Sequence, residues 1–160
     1  MEPRMTNPAL SVPGVFDALQ SLGQAAHQAA TEAGLPRATV DLVSLRASQI
    51  NGCAVCLDMH TRGARKAGET DERLFTVAAW RDAPYFTEAE RAALALTEAG
   101  TRLADRADSV SDAVFDEAAT HYDERALAAL VVCIAAINTW NRLNVITGQK
   151  AGEWTAQWAD

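Results

Sequence analysis

The stretch Ile50-Asn51-Gly52-Cys53-Ala54-Val55-Cys56-Leu57-Asp58-Met59-His60 carries two of the chain's three cysteines and one of its three histidines. Asn51-Gly52 is a turn dipeptide, so one helix ends there and the next begins at about Cys53. At roughly 100° per residue, Cys56 lies about 60° and His60 about 20° from Cys53 on the helical wheel, so the three side chains share a face. The break also puts both sulfurs in a first turn, whose unpaired backbone N–H groups favour anions. The thiolate is the reactive form of cysteine, and a free thiol with a pKa of about 8.5 is mostly protonated at neutral pH. Lowering that pKa to about 7 needs about 2 kcal/mol. A helix end supplies only ~0.3–1 kcal/mol of it. His60, or a group behind it, must supply the rest.

The 160 residues suit a single domain. Hydrophobic residues make up 49%, while the nine glycines and five prolines fall mostly at junctions, which predicts an all-α fold of about six to seven helices. A net charge of −7 leaves no basic stripe for nucleic acid. Met1-Glu2-Pro3-Arg4 is not followed by an apolar run, so no secretory signal is expected. The longest apolar run, Ala126 to Ile137, is 12 residues, too short to span a bilayer, and no membrane partner is expected. An odd cysteine count without a secretory context argues against a disulfide framework and for a cytoplasmic protein, in which a CxxC reads as redox or metal chemistry.

Residues 1–10, with Pro3 and Pro8, read as a tail that packs only where a neighbour holds it. A helix from Pro13 follows, with Phe16, Leu19, Leu22, Ala26 and Ala30 as its stripe and Gly34 as its stop; His27 on it reads as a surface or packing residue. The next runs from Pro36 to about Asn51 with Val40, Val43, Ala47 and Ile50 on one face. Asp41 sits in it, an acid that either faces water or has a function. The CxxC helix continues to a stop at Gly68. Gly63 in it leaves room for another helix to approach the reactive face. Thr70 caps a helix reaching toward Trp80, and Thr87-Glu88-Ala89-Glu90 has the capping-box pattern that starts another. Ser109 or Ser111 caps a helix ending at His121-Tyr122-Asp123, where His121 reads as a helix-end cation. The segment from about Glu124 to Thr147 is apolar on most sides and belongs at a bundle centre or subunit interface. Cys133 within it reads as a core hydrophobe. Its polar end, Asn138-Thr139-Trp140-Asn141-Arg142-Leu143-Asn144, stands out. Trp154 and Trp158 form an i, i+4 pair that packs on this subunit or a neighbour.

Three functions fit CxxCxxxH. One is a dithiol that reduces peroxides or exchanges disulfides; His60 lies one turn after Cys56 and two after Cys53, which makes Cys56 the attacking thiol and Cys53 the resolving one. Another is a zinc site of Cys53, Cys56 and His60, although zinc patterns usually bring a second ligand pair from elsewhere. The last is a helical interaction protein with two incidental cysteines.

The run from Leu42 through the CxxC to His60, then Ala67-Gly68-Glu69-Thr70 and Ala79-Trp80-Arg81, resembles the AhpD-like alkylhydroperoxidases of the carboxymuconolactone decarboxylase family. The likeness resumes at Ala136-Ile137-Asn138-Thr139-Trp140-Asn141-Arg142-Leu143-Asn144-Val145. It implies an AhpD-like helical bundle assembled as a homo-oligomer, a trimer or hexamer, and a peroxidase with Cys56 as nucleophile, Cys53 as resolving thiol and His60 in a proton relay. The family's relay has a glutamate twelve residues before the first cysteine; here that place holds Asp41, one methylene shorter. Val55 between the cysteines lacks the hydrogen-bonding group of the histidine or tyrosine often found there. True decarboxylases of the superfamily do not rely on a CxxC pair. The expectation is an antioxidant that reduces organic hydroperoxides with an external thiol or dithiol reductant, without a cofactor or metal. The alternatives are a general disulfide reductase and a zinc-binding or structural oligomer.

Overall fold

The computed structural model describes residues 2–104 and 106–152. They form α1 (Pro8–Ser11), α2 (Val15–Glu32), α3 (Arg37–Asn51), α4 (Ala54–Lys66), α5 (Asp71–Thr76), α6 (Glu88–Thr101), α7 (Asp112–His121) and α8 (Glu124–Thr147), with a 3-10 turn at Val77–Ala79. The all-α fold and the CxxC at a helix N-terminus are as the sequence predicts. Trp154 and Trp158 lie outside the described residues.

The bundle is built on α3 and α8. Helix α3 packs against α4, α6 and α8, and α2 lies along α8. Val40 and Val43 of α3 meet Leu127, Leu130 and Ile134 of α8 in the main core, closed on one side by Ala26 and Ala30 of α2 and on the other by Ala93 and Leu96 of α6. The alanines keep the axes close, and each fully buried leucine or valine contributes about 1.5–3 kcal/mol. Cys133 is buried there as a packing residue, its thiol 3.8 Å from the Ala26 carbonyl oxygen. By length and hydropathy alone α8 would cross a bilayer. Its buried Asn138, Asn141 and Asn144 instead bond side chains of α3, α4 and α6.

The N-terminal residues correct the expectation of a tail that needs a neighbour. Asn7 caps α1 by accepting the Ala9 N–H at 2.9 Å, with Pro8 in the first turn. The Arg4 N–H reaches the Thr147 oxygen at 2.8 Å. The segment is seated on the chain's own last helix, and Asn7 is 2% exposed. Asn followed by Pro is a helix-start signal in its own right. The helix predicted from Thr70 is also shorter than its pattern. It tightens to a 3-10 turn that brings Val77 and Trp80 into a second cluster with Leu42, Phe86 and Leu94.

Glu98 of α6 ties these parts together. Its carboxylate, 5% exposed, accepts from Arg46 Nε of α3 at 2.6 Å, Trp80 Nε1 at 3.0 Å, Arg81 Nη1 at 2.9 Å and Arg102 Nη1 at 3.2 Å. Burial alone would raise its pKa, but hydrogen bonds from Trp80, Arg81 and Arg46 outweigh that and hold it at about 2. A depressed carboxylate pKa adds stability above its ordinary value of 4.5, and that stability is lost as pH falls toward about 2. We expect Glu98→Gln to lower unfolding stability at neutral pH by about 3 kcal/mol and to flatten the acid limb of the stability curve, read by urea unfolding across pH. Parallel curves for variant and wild type would contradict this role.

Candidate active site

The site begins at the corner between α3 and α4. Gly52 sits at φ +68°. Its N–H bonds the Gln49 oxygen at 3.3 Å, and the next N–H, of Cys53, bonds the Ser48 oxygen at 3.0 Å. This Schellman pairing ends α3 and leaves Cys53 as the first residue of the following turn. Cys53 is the N-cap of α4, where serine, threonine or aspartate usually stands. Its Sγ accepts the Cys56 N–H at 3.5 Å.

Both sulfurs are buried, at 1% and 3% residue exposure. Asn144 Nδ2 of α8 lies 3.6 Å from Cys53 Sγ and 3.4 Å from Cys56 Sγ. The hydrogen bond from the Cys56 thiol lowers the Cys53 pKa to about 6 against the opposing effect of burial, with help from the Cys56 N–H, Asn144 and Asn141. Cys56 moves the opposite way, its proton held by the Cys53 sulfur and by burial. The pair therefore gives up one proton readily and keeps the second.

Cys56 faces a cavity of about 580 Å³ and Cys53 lies behind it. Phe16, Met59, Ile137 and Trp140 provide apolar wall, with the Phe16 and Trp140 rings edge to face at 6.2 Å. His27 and His60 line this cavity and also a second, more polar one of about 410 Å³ that includes Thr31, Arg37 and Asp41. Burial, then the nearby charge of His27, pushes the His60 pKa down to about 4, so its ring is neutral at neutral pH. Asp41 is buried and its pKa raised by burial, partly offset by the Arg37 guanidinium at 3.4 Å. Among the described residues the His60 ring has no hydrogen-bond partner, so it and Asp41 share a cavity without touching. That cavity has room for bridging water.

The structure thus sets Cys56 and His60 on the wall of one cavity, with Cys53 behind Cys56, and places Asp41 in the adjoining cavity that His60 also lines. The expectation gave Cys56 the more activated sulfur; the structure gives Cys56 the access and Cys53 the charge. His27, read from sequence as a surface or packing residue, stands where the two cavities meet. Asn144 was visible as a polar break in an apolar helix, but nothing local tied it to a cysteine 88 residues away. Among the described residues nothing approaches over Gly63: a Cβ there would meet no atom within 4 Å, and the same holds for Gly23. Both are wall positions, Gly63 in the polar cavity and Gly23 in the apolar one. Among the described residues no three His, Cys, Asp or Glu side chains are grouped to hold a metal ion.

Because neither glycine is sterically required, Gly23→Ala and Gly63→Ala should each raise unfolding stability by about 0.5–1 kcal/mol in chemical denaturation. A loss of stability would mean that a neighbour approaches closer than the structure shows.

The carboxymuconolactone decarboxylase family model matches residues 13–99. The chain is 39% identical over 120 residues to the uncharacterized protein YdfG of Bacillus subtilis, covering 75% of this chain and 80% of that one. To the uncharacterized protein YnjA of Escherichia coli it is 33% identical over 103 residues, 64% of this chain and 55% of the other. A crystal structure of a protein of unknown function from Agrobacterium tumefaciens, named as a candidate antioxidant defence protein AhpD, matches with a TM-score of 0.82 at 33% identity, over 94% of this chain and 98% of that one. The debrominase Bmp8, solved as a cysteine-to-alanine variant with 2,3,4-tribromopyrrole, matches at TM-score 0.74 and 20% identity over 89% and 73% of the two chains, a likeness of fold.

Proposed function

The chain belongs to the carboxymuconolactone decarboxylase family, and from that footing we propose that it is a thiol-dependent peroxidase that reduces organic hydroperoxides through Cys53 and Cys56. The observation that carries this reading is the placement of two adjacent sulfurs at a helix N-terminus, one of them facing an apolar cavity. The candidate antioxidant role named for the Agrobacterium tumefaciens protein supports it.

In the reduced pair Cys53 carries the charge and Cys56 the proton. That proton passes to Cys53, and the Cys56 thiolate attacks the terminal oxygen of the hydroperoxide. The O–O bond breaks, leaving Cys56 as a sulfenic acid and releasing an alkoxide. The alkoxide takes a proton from solvent; His60, neutral at the cavity wall, relays it by accepting on one ring nitrogen and releasing from the other, with Asp41 behind it through water. The Cys53 thiol then attacks the Cys56 sulfur, forming the disulfide and expelling water. Two external thiols or one dithiol return two electrons and two protons, one proton leaves to solvent as Cys53 ionises again, and no cofactor enters the cycle. The cavity volume lies within the ~300–1,000 Å³ of small-molecule sites. Its apolar walls suit a hydroperoxide with an aryl or alkyl body better than hydrogen peroxide. Burial of both sulfurs argues against a general reductase of protein disulfides, whose substrates need an exposed thiol.

One equivalent of cumene hydroperoxide should convert the chain to a Cys53–Cys56 disulfide, two hydrogens lighter by mass spectrometry. Cys56→Ser should abolish consumption, and Cys53→Ser should stop after one turnover with a trappable sulfenic acid on Cys56. The aryl substrate should exceed hydrogen peroxide in kcat/KM by about tenfold or more, since each buried methylene is worth about 0.8 kcal/mol. A sulfenic acid mapped to Cys53, or turnover by Cys56→Ser, would overturn the assignment.

A further inference from the structure

Asn138, Asn141 and Asn144 follow one another at three-residue spacing along α8, and all three are buried. Two of them clasp the end of α3. Asn51 Nδ2 donates to Asn138 Oδ1 and to Asn141 Oδ1, each at 2.9 Å, and Asn141 Nδ2 donates to Ser48 Oγ at 3.1 Å. Asn144 makes no such bond to α3; its amide nitrogen is turned to the two sulfurs, on which Asn141 also acts.

The shape of an amide does not say which end is nitrogen; the hydrogen bonds around it do. Here they form a chain that starts from the backbone. Pro8 has no N–H, so the Ala9 N–H is the donor at the start of α1, and a backbone N–H can only donate. The Asn7 atom it meets at 2.9 Å is therefore Oδ1. Asn7 Nδ2 is then the end that lies 2.7 Å from Asn144, and a donor needs an acceptor, so the atom there is Asn144 Oδ1. That leaves Asn144 Nδ2, with two hydrogens, facing two sulfurs.

We propose that Asn144 is a positioning residue that holds the Cys53–Cys56 pair through its amide N–H groups, and that Asn7, fixed as the cap of α1, dictates which way that amide faces. The inference rests on the dithiol reading above and extends it, because it makes the N-terminal segment part of the reactive site. Two N–H groups beside the sulfurs favour the form in which one of them carries charge, and with it the reduced pair over the uncharged disulfide. Without Asn7 the Asn144 amide is free to turn its oxygen toward the sulfurs. The other titratable side chains around this cavity are His27 on α2, His60 on α4 and Cys133 on α8. None is altered by the substitutions that test the proposal.

The test titrates the ultraviolet absorbance of the thiolate against pH in the reduced full-length chain, with no peroxide present and thermal unfolding recorded for each variant. Asn144→Ala should move the midpoint upward by about one unit, the effect of losing a hydrogen bond to a charged group. Asn144→Leu, close in size and uncharged but with no N–H to offer the sulfurs, should move it the same way and serves if the alanine variant does not fold. Asn7→Ser keeps an oxygen to cap α1 but removes the amide donor, and should shift the midpoint by a smaller amount in the same direction. Combined with Asn144→Ala it should add nothing. An unchanged midpoint in both Asn144 variants would overturn the proposal, and so would an Asn7→Ser effect that adds fully to that of Asn144→Ala. Because no hydroperoxide is involved, a shifted midpoint in a chain that consumes no hydroperoxide would sink the peroxidase reading and leave this one standing.

Discussion

Gly52 joins the C-terminus of one helix to the N-terminus of another without an intervening loop. Its left-handed backbone spends the Cys53 N–H on the end of α3 and sets the Cys53 sulfur over the start of α4. The unpaired donors of a helix start and the dipole of α4 then act on a buried sulfur, where they are worth more than in water. A loop of even a few residues at this point would separate the sulfurs from that end. The chemistry proposed for the pair follows from a backbone constraint before any side chain beyond the cysteines is considered.

The corner is only as fixed as the helix that leads into it, and α3 is held at two heights. Arg46 is locked to Glu98 of α6, and two residues on Ser48 meets Asn141 of α8, with Asn51 bridging Asn138 and Asn141. Between these ties the helix is buried on most sides. An ionic clamp and an amide clasp on different neighbours leave α3 little freedom to slide or rotate, so the sulfurs keep their position against the cavity. Helix α8 carries the clasp on the same polar row that ends at the sulfurs, which explains why an otherwise apolar core helix has buried asparagines.

Much of this was written in local punctuation. Asn51-Gly52, the Thr87–Glu90 capping box, Gly68 and the long apolar run after Asp123 mark boundaries because each acts within a turn or two of itself. The CxxC and His60 were legible for the same reason, as neighbours on one helix. What the sequence hid acts across the fold. Glu98 looks like an ordinary helix-surface acid until Arg46, Trp80, Arg81 and Arg102 converge on it. His27 is one histidine among alanines, with no periodic signal to link it to His60. The Asn7 cap belongs to a four-residue helix whose one local sign is Asn7-Pro8, and its partner Asn144 lies at the other end of the chain.

The central claim is that the two sulfurs share a single negative charge held by their surroundings. It is tested most directly by following alkylation of Cys53 and Cys56 separately against pH in the reduced wild-type chain, each adduct located by mass spectrometry. The account predicts that one thiol's worth of reactivity appears with a midpoint of about 6, while the second proton stays bound well above the ordinary thiol range. Two sulfurs that ionise independently, each near about 8.5 as free cysteines do, would contradict it.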